Sequence, residues 1–494
     1  MAGPNCPSYD YNGGNYVGTV HAILRSLSSC NMSKFARPRK NLMPVKTLAI
    51  MFSVALCAVG SFGQGASTVA AIDEYLQPYV QSGNFAGTVL VKKKGRVIFE
   101  RAYGFADREG QVRNTTKTRF HIASMSMQFT AAAVLRLVDA GSISLDERVG
   151  DFAKAIEGAN KITIRDLLTE RSGLPDINAL PDYNDVLQHH QTPESLVAKI
   201  AGRPVLFEAG STYLHEEHSA YNLLALIIEK KTGVPFTAAV ERSVFRPMGL
   251  AASGVDDDSI ANSALMAKGY EPDGTFGIRP ANSIHWSAKT GNASVYTTAG
   301  DEARWVDALF SGHALSVTSR SAVLDTSTRV GYGWFKGENK RLGQIAYYMN
   351  GRAPGFSSFV LYMPDSKLTV VVLSNVYSSA TTTIGYDIAA LSLGLPYERL
   401  QLGKSRVDSA KLKRCTGTFQ FGPDFYQANA KVSLVARGQE LSMRWPSGDV
   451  SALIPLGEDH FVDRSYWVEV IIERDGSGKP AALIYDQFRG TVPH

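Results

Sequence analysis

The apolar positions of this chain change period along its length. Val69, Ile72, Leu76 and Val80 recur at helical spacing and predict a helix over 69–82. The next stretch, Phe85-Ala-Gly-Thr-Val-Leu-Val-Lys-Lys-Lys-Gly-Arg-Val-Ile-Phe-Glu, holds two β-rich runs around a turn at Lys94-Gly95, which predicts a hairpin. Residues 124–140 return to the helical period with Phe129, Ala133, Leu135 and Val138, and Gly141 ends the run. Two further helices are predicted at 223–230, stopped by Thr232-Gly233, and at 299–310. Strands come back at 358–363 and 368–373 across the turn Pro364-Asp365-Ser366-Lys367. Strands at both ends of a helical stretch predict an α+β domain over 67–400. Its antiparallel sheet is flanked by helices, its first and last strands meet, and a helical subdomain lies between them. After about residue 403 short alternating runs follow one another at 432–436, 440–445, 468–473 and 481–485, divided by Arg437-Gly438 and Gly476-Ser477-Gly478. They predict a small all-β barrel or sandwich over 405–494.

The start of the chain has a different texture. Lys46 precedes an apolar run at 48–59 and then Gly60-Ser61-Phe62-Gly63-Gln64, which predicts a secretory signal cleaved after Gly63 with Ser61 at −3. The run is short for a membrane span, so no stable span is expected after cleavage; a buried helix or an uncleaved anchor is the other reading. Residues 1–42 have no period, and Met43 makes a natural start. The leader is therefore 1–63, and the expected destination is periplasmic or extracellular.

Composition removes some function classes. The formal charge of +5 over 494 residues is carried by the leader, which holds six basic residues and one acid; the remainder is balanced. No basic patch follows, and nucleic acid is excluded as an expected partner. Of four cysteines only Cys415 lies beyond the leader, so the body has no internal disulfide to rely on.

The candidate chemistry lies in Phe120-His-Ile-Ala-Ser-Met-Ser-Met-Gln-Phe-Thr-Ala-Ala-Ala. Together with Gly141-Ser-Ile-Ser-Leu-Asp, Ile164-Arg-Asp-Leu-Leu-Thr, Ser172-Gly-Leu-Pro, Phe245-Arg-Pro-Met-Gly-Leu, Thr298-Ala-Gly-Asp and Pro354-Gly-Phe-Ser-Ser, it resembles the β-lactamase-related serine hydrolases. These include class C β-lactamases, D-alanyl-D-alanine carboxypeptidases and other penicillin-binding-protein-like enzymes. The matches run in family order over about 70–395. The C-terminal module resembles the lipocalin-like domain often fused to that family.

The resemblance implies three clustered elements, and each is altered here. In Ser-x-x-Lys the lysine sits one turn after the serine and takes its proton. This chain has Ser124 but Met127, a thioether with no titratable proton. In Tyr-x-Asn, counting from Tyr221, tyrosine becomes Glu216 and asparagine becomes His218; counting from Gly210 they become His215 and Glu217. In the strand triplet Lys-Thr-Gly or His-x-Gly, the chain reads Met349-Asn350-Gly351, keeping the glycine and losing the basic residue. Three such losses predict a catalytically silent or very slow protein that binds a peptide-like or cell-wall ligand in the old cleft. The rival is an active serine amide or ester hydrolase with a rewired base at Glu216 or His218. A third reading takes His215 and His218 as zinc ligands, against a polar, solvated loop; no metal and no cofactor is expected. Local structure offers plainer roles. Ser124 can serve as a helix N-cap, Met127 and Met349 as apolar filling, and His121 and Tyr221 as packed core. His189-His190 reads as surface.

Overall fold

A computed structural model describes residues 60–213, 217–260, 264–397, 402 and 408–493, with side chains from 68 onward. The larger unit is built on a seven-stranded sheet. Its strands are β1 (Gly87–Lys93), β2 (Arg96–Tyr103), β3 (Val330–Gly331), β4 (Trp334–Asn339), β5 (Gln344–Ala353), β6 (Phe356–Met363) and β7 (Leu368–Ser374), in the order β3-β4-β5-β6-β7-β1-β2 and antiparallel throughout. The first strand lies beside the last, with Gly87 opposite Ser374 and Lys93 opposite Leu368. The hairpin turn falls at Lys94-Gly95, where both residues have positive φ.

Every residue of β7 is buried, and so are the apolar positions of β1 and β6. Continuous burial arises because both faces of the sheet are covered. Val89, Val91, Phe359, Leu361, Val370 and Val372 face helices α1 (Gly60–Gln81) and, later in the chain, Ala380–Leu393. Leu90, Val360, Val371 and Leu373 face the other way, into the core shared with the helical region. That region includes α2 (Met127–Asp139), α3 (His218–Thr232) and α4 (Ala299–Ser311). α3 is buried continuously from His218 to Ile228 and stops at Gly233 in the left-handed conformation.

The predicted C-terminal module is a closed barrel of eight antiparallel strands, from Gly417–Gln420 to Phe488–Thr491. Its interior is filled by side chains, among them Phe421, Phe425, Trp445 and Tyr485. The barrel is seated on the larger unit. Trp467 packs on Tyr79, and the fully buried Arg464 donates to Asn84 Oδ1 at 2.7 Å and to the Gly274 carbonyl at 2.7 Å. Residues 1–59 of the predicted leader lie outside the described residues. Among the described residues no helix is long and apolar enough to cross a membrane.

Candidate active site

The sequence pattern places Ser124 at the start of a helix; the structure places it in a turn just before one. Residues Ala123–Ser126 form a 3-10 turn, and α2 begins at Met127. The turn is entered through Ala123 at φ +50°, a region that costs a side-chain-bearing residue about a kilocalorie or more. Surrounding contacts hold it there. Ile122 N–H donates to the Val295 carbonyl at 3.0 Å, and Ser126 Oγ accepts from Val295 N–H at 2.9 Å. From the sheet side, Ser358 Oγ on β6 donates to the Ile122 carbonyl at 2.7 Å.

Gly351 on β5 faces the same turn. A Cβ built on it would stand 2.4 Å from the Ile122 carbonyl oxygen and 2.8 Å from the Ser124 nitrogen. The surviving glycine of the third motif is therefore explained by backbone approach: any side chain would push the serine away. Met349 and Met127 are both buried, at 1% and 0% exposure, and belong to one apolar core. They fill space with a flexible thioether where the resembling family carries a cation.

Ser124 is itself 4% exposed. Its hydroxyl makes no hydrogen bond to any described residue and caps no helix, so the N-cap reading is corrected. The second motif is only partly described: His215 and Glu216 lie outside the described residues. Glu217 and His218 are buried, at 1% and 8% exposure, which corrects the expectation of a solvated loop there. Glu217 turns to the 172–173 segment, accepting from Ser172 Oγ at 2.7 Å and from the amides of Ser172 and Gly173 at 3.2 and 3.0 Å. Burial raises its carboxyl to about 7, although those bonds pull the other way. His218 opens α3, and its Nδ1 lies 3.2 Å from Asp176. No hydrogen bond joins it to Ser124. Among the described residues no group of three or more His, Cys, Asp or Glu side chains is placed to hold a metal ion.

His121 is packed: its ring stacks on Trp286 at 3.6 Å and Nε2 meets Asp256 at 2.9 Å. Desolvation keeps its pKa below the usual value despite the carboxylate. Tyr221 is fully buried, while His189 and His190 lie at the surface.

One buried polar pair escaped the sequence reading. Lys289 ends the turn Trp286–Lys289, six residues before Val295, whose amide is held by Ser126. Its ammonium donates to Tyr183 Oη at 2.5 Å, and both side chains are 7% exposed. Buried lysines are rare without partners, but a lone lysine in a polar segment gives no signal of burial in one sequence.

Comparison with known proteins fits this geometry. The β-lactamase family pattern matches residues 72–393. The penicillin-binding protein PbpX of Bacillus subtilis, itself named as putative, is 24% identical over 310 residues, 62% of this chain and 75% of its own length. Protein Flp of Staphylococcus aureus is 26% identical over 324 residues, and the chain spans 63% of its length, just under two thirds. Penicillin-binding protein 4* of B. subtilis is 23% identical over 433 residues, 81% of this chain and 93% of its own, so that match reaches into the barrel. Among solved structures, the octameric penicillin-binding protein homologue of Pyrococcus abyssi superposes with a TM-score of 0.60 at 21% identity, covering 85% of this chain and 99% of that one. The penicillin-binding protein of Bacillus halodurans gives 0.57 at 28%, covering 65% and 98%. With the family pattern spanning most of the chain, and with a serine turn, sheet and helical region in matching order, this protein belongs to the β-lactamase family of penicillin-binding-protein-like serine hydrolases.

Proposed function

We propose that this chain is an exported member of the family that does not form an acyl-enzyme at a useful rate and instead binds a peptide-like ligand in the inherited cleft. One observation carries the reading. The Ser124 hydroxyl is nearly enclosed, is hydrogen-bonded to no described residue, and has methionine at both motif positions where the family places a cation. A serine hydroxyl attacks a carbonyl only when a positioned base removes its proton, and a thioether cannot do so. His218 is oriented by Asp176 through Nδ1 but makes no hydrogen bond to Ser124, which weighs against its serving as a replacement base. Losing one member of such a catalytic unit costs several orders of magnitude in rate.

The test is covalent labelling by a fluorescent penicillin, together with nitrocefin and p-nitrophenyl ester hydrolysis, on the purified protein and on Met127→Lys. No labelling of the parent and measurable labelling of the variant are expected. Labelling or turnover by the parent that disappears in Ser124→Ala would overturn the proposal and favour a rewired hydrolase.

A further inference from the structure

Gly351 and Arg352 are consecutive on β5 and so face opposite sides of the sheet. Their partners on β6 alternate with them: Gly351 pairs with Ser358 and Arg352 with Ser357. The front pair meets the serine turn. Gly351 lies against Ile122 and Ser124, and Ser358 Oγ donates to the Ile122 carbonyl at 2.7 Å. The back pair meets the segment that follows β7. Ser357 Oγ donates to the Val376 carbonyl at 2.9 Å, Arg352 Nη1 donates to Ser379 Oγ at 3.2 Å, and the guanidinium lies 4.2 Å from the ring centroid of Tyr377. This end of β5 is held by a strand on one side only. Pairing with β4 stops at Tyr348, so among the described residues 349–353 have β6 as their single strand partner.

The barrel grips the same segment from behind. Ser378 Oγ donates to the Arg464 carbonyl at 3.0 Å, and Ser379 N–H donates to the Ser465 carbonyl at 3.0 Å. The Tyr466 ring centroid lies 4.8 Å from the Arg352 guanidinium. That loop is fixed from inside the barrel. The fully buried Asp463 accepts from the amides of Ser465 and Tyr466 at 2.9 and 3.1 Å and from Ser451 Oγ at 2.8 Å. An unbroken series of contacts therefore runs from the barrel core through Tyr466 and Arg352 to the strand that bears on Ser124.

We propose that the barrel is a back support for the serine turn: Tyr466 clamps Arg352, the clamp holds the end of β5 forward, and β5 keeps the turn at Ala123–Ser126 closed. The turn needs such support. Ala123 at φ +50° keeps a costly conformation only while its surroundings over-determine it, and Gly351 with Ser358 supplies those surroundings from the sheet side. A strand end paired on one edge yields more easily than one paired on both, so the cation between two rings behind it adds restraint where the sheet has least. Arg352 and Tyr466 are positioning residues, acting on the turn through Gly351. The inference goes beyond the silent reading of the cleft and stands whether or not Ser124 reacts.

Hydrogen exchange of the full chain tests it. The amides of Ile122, Met125 and Met127 are hydrogen-bonded in and beside the turn, to the carbonyls of Val295, Ile122 and Ser124. In Tyr466→Leu and in Arg352→Gln their exchange is expected to rise about tenfold, while the buried stretch of α3 exchanges as in the parent. Tyr466→Phe keeps the ring and should keep the parent rates. Unchanged exchange at the turn in the folded Leu and Gln variants overturns the proposal. An equal rise throughout the chain also overturns it, since that reports lost stability and not lost support of one turn. A second measurement needs no variant. In the parent, below the unfolding transition, the turn amides and those of Ser465 and Tyr466 should open with one shared urea dependence. A turn that stays closed while the 464–466 loop opens overturns the support. Penicillin labelling at Ser124 would sink the silent reading and leave this coupling untouched.

Discussion

Gly351 and Ser124 are in direct backbone apposition, with room at Gly351 for hydrogen and nothing larger: an added Cβ would fall 2.8 Å from the Ser124 nitrogen. The two nearest neighbouring atoms are backbone and cannot swing away; only the third, Ser358 Oγ at 2.9 Å, belongs to a side chain.

Gly351→Ala is therefore expected to shift the serine turn and to destabilise the fold by about 1–3 kcal/mol. Gly476 has open space around its Cβ position and no positive φ, so Gly476→Ala should be nearly neutral. Urea unfolding of both variants checks the contrast. Equal stability of the two would mean that β5 yields more readily than the packing implies.

Removing the Ser124 hydroxyl takes away no hydrogen bond to a described residue. Ser124→Ala should change stability by less than about 1 kcal/mol. Ligand affinity measured by calorimetry should stay as it was. A large loss of stability would mean that the hydroxyl has a structural partner.

Glu302 on α4 is fully buried, and its carboxyl is pushed by desolvation from the usual 4.5 up to about 8. Its Oε1 accepts from Gln128 Nε2 at 2.9 Å, next to Met127. Between pH 4.5 and about 8 the native state keeps this proton and the unfolded chain has lost it, so stability falls as pH rises through that window. Glu217, raised to about 7, acts in the same direction. Glu302→Gln should gain on the parent as pH rises, by about 1 kcal/mol or more at pH 8. Urea unfolding at pH 5, 6.5 and 8 measures the slope; the same difference at all three pH values would refute a neutral buried carboxyl.

Arg464 joins the barrel to the larger unit through Asn84 and Gly274 while fully buried, and desolvation lowers its pKa to about 10. Removing one member of such a contact strands the other in a place water does not reach. A double-mutant cycle of Arg464→Leu and Asn84→Ala should give a coupling energy of about 1–3 kcal/mol. Strict additivity would mean that Arg464 and Asn84 do not act together in seating the barrel.

Much of the architecture was legible because it repeats locally. The β1–β2 hairpin, α2 and α4 follow from apolar period and turn residues, and the short strands after 417 announce a barrel. The 217–218 segment misled for a physical reason. Glu-Glu-His reads as solvated, yet Glu217 is buried because Ser172 and Gly173, more than 40 residues earlier, supply three donors. Lys289 and Tyr183 are 106 positions apart, and their bond follows from the packing of two loops that carry no periodic signal.

What the sequence determined alone was the order of the elements and the chemical losses at Met127 and Met349, since side-chain identity and short-range period are written along the chain. Tertiary structure decided which groups were left around the serine, where Glu217 and His218 turned, and that Arg352 meets a tyrosine from the barrel. Those outcomes depend on contacts between distant segments, whose desolvation and partnering no local pattern encodes.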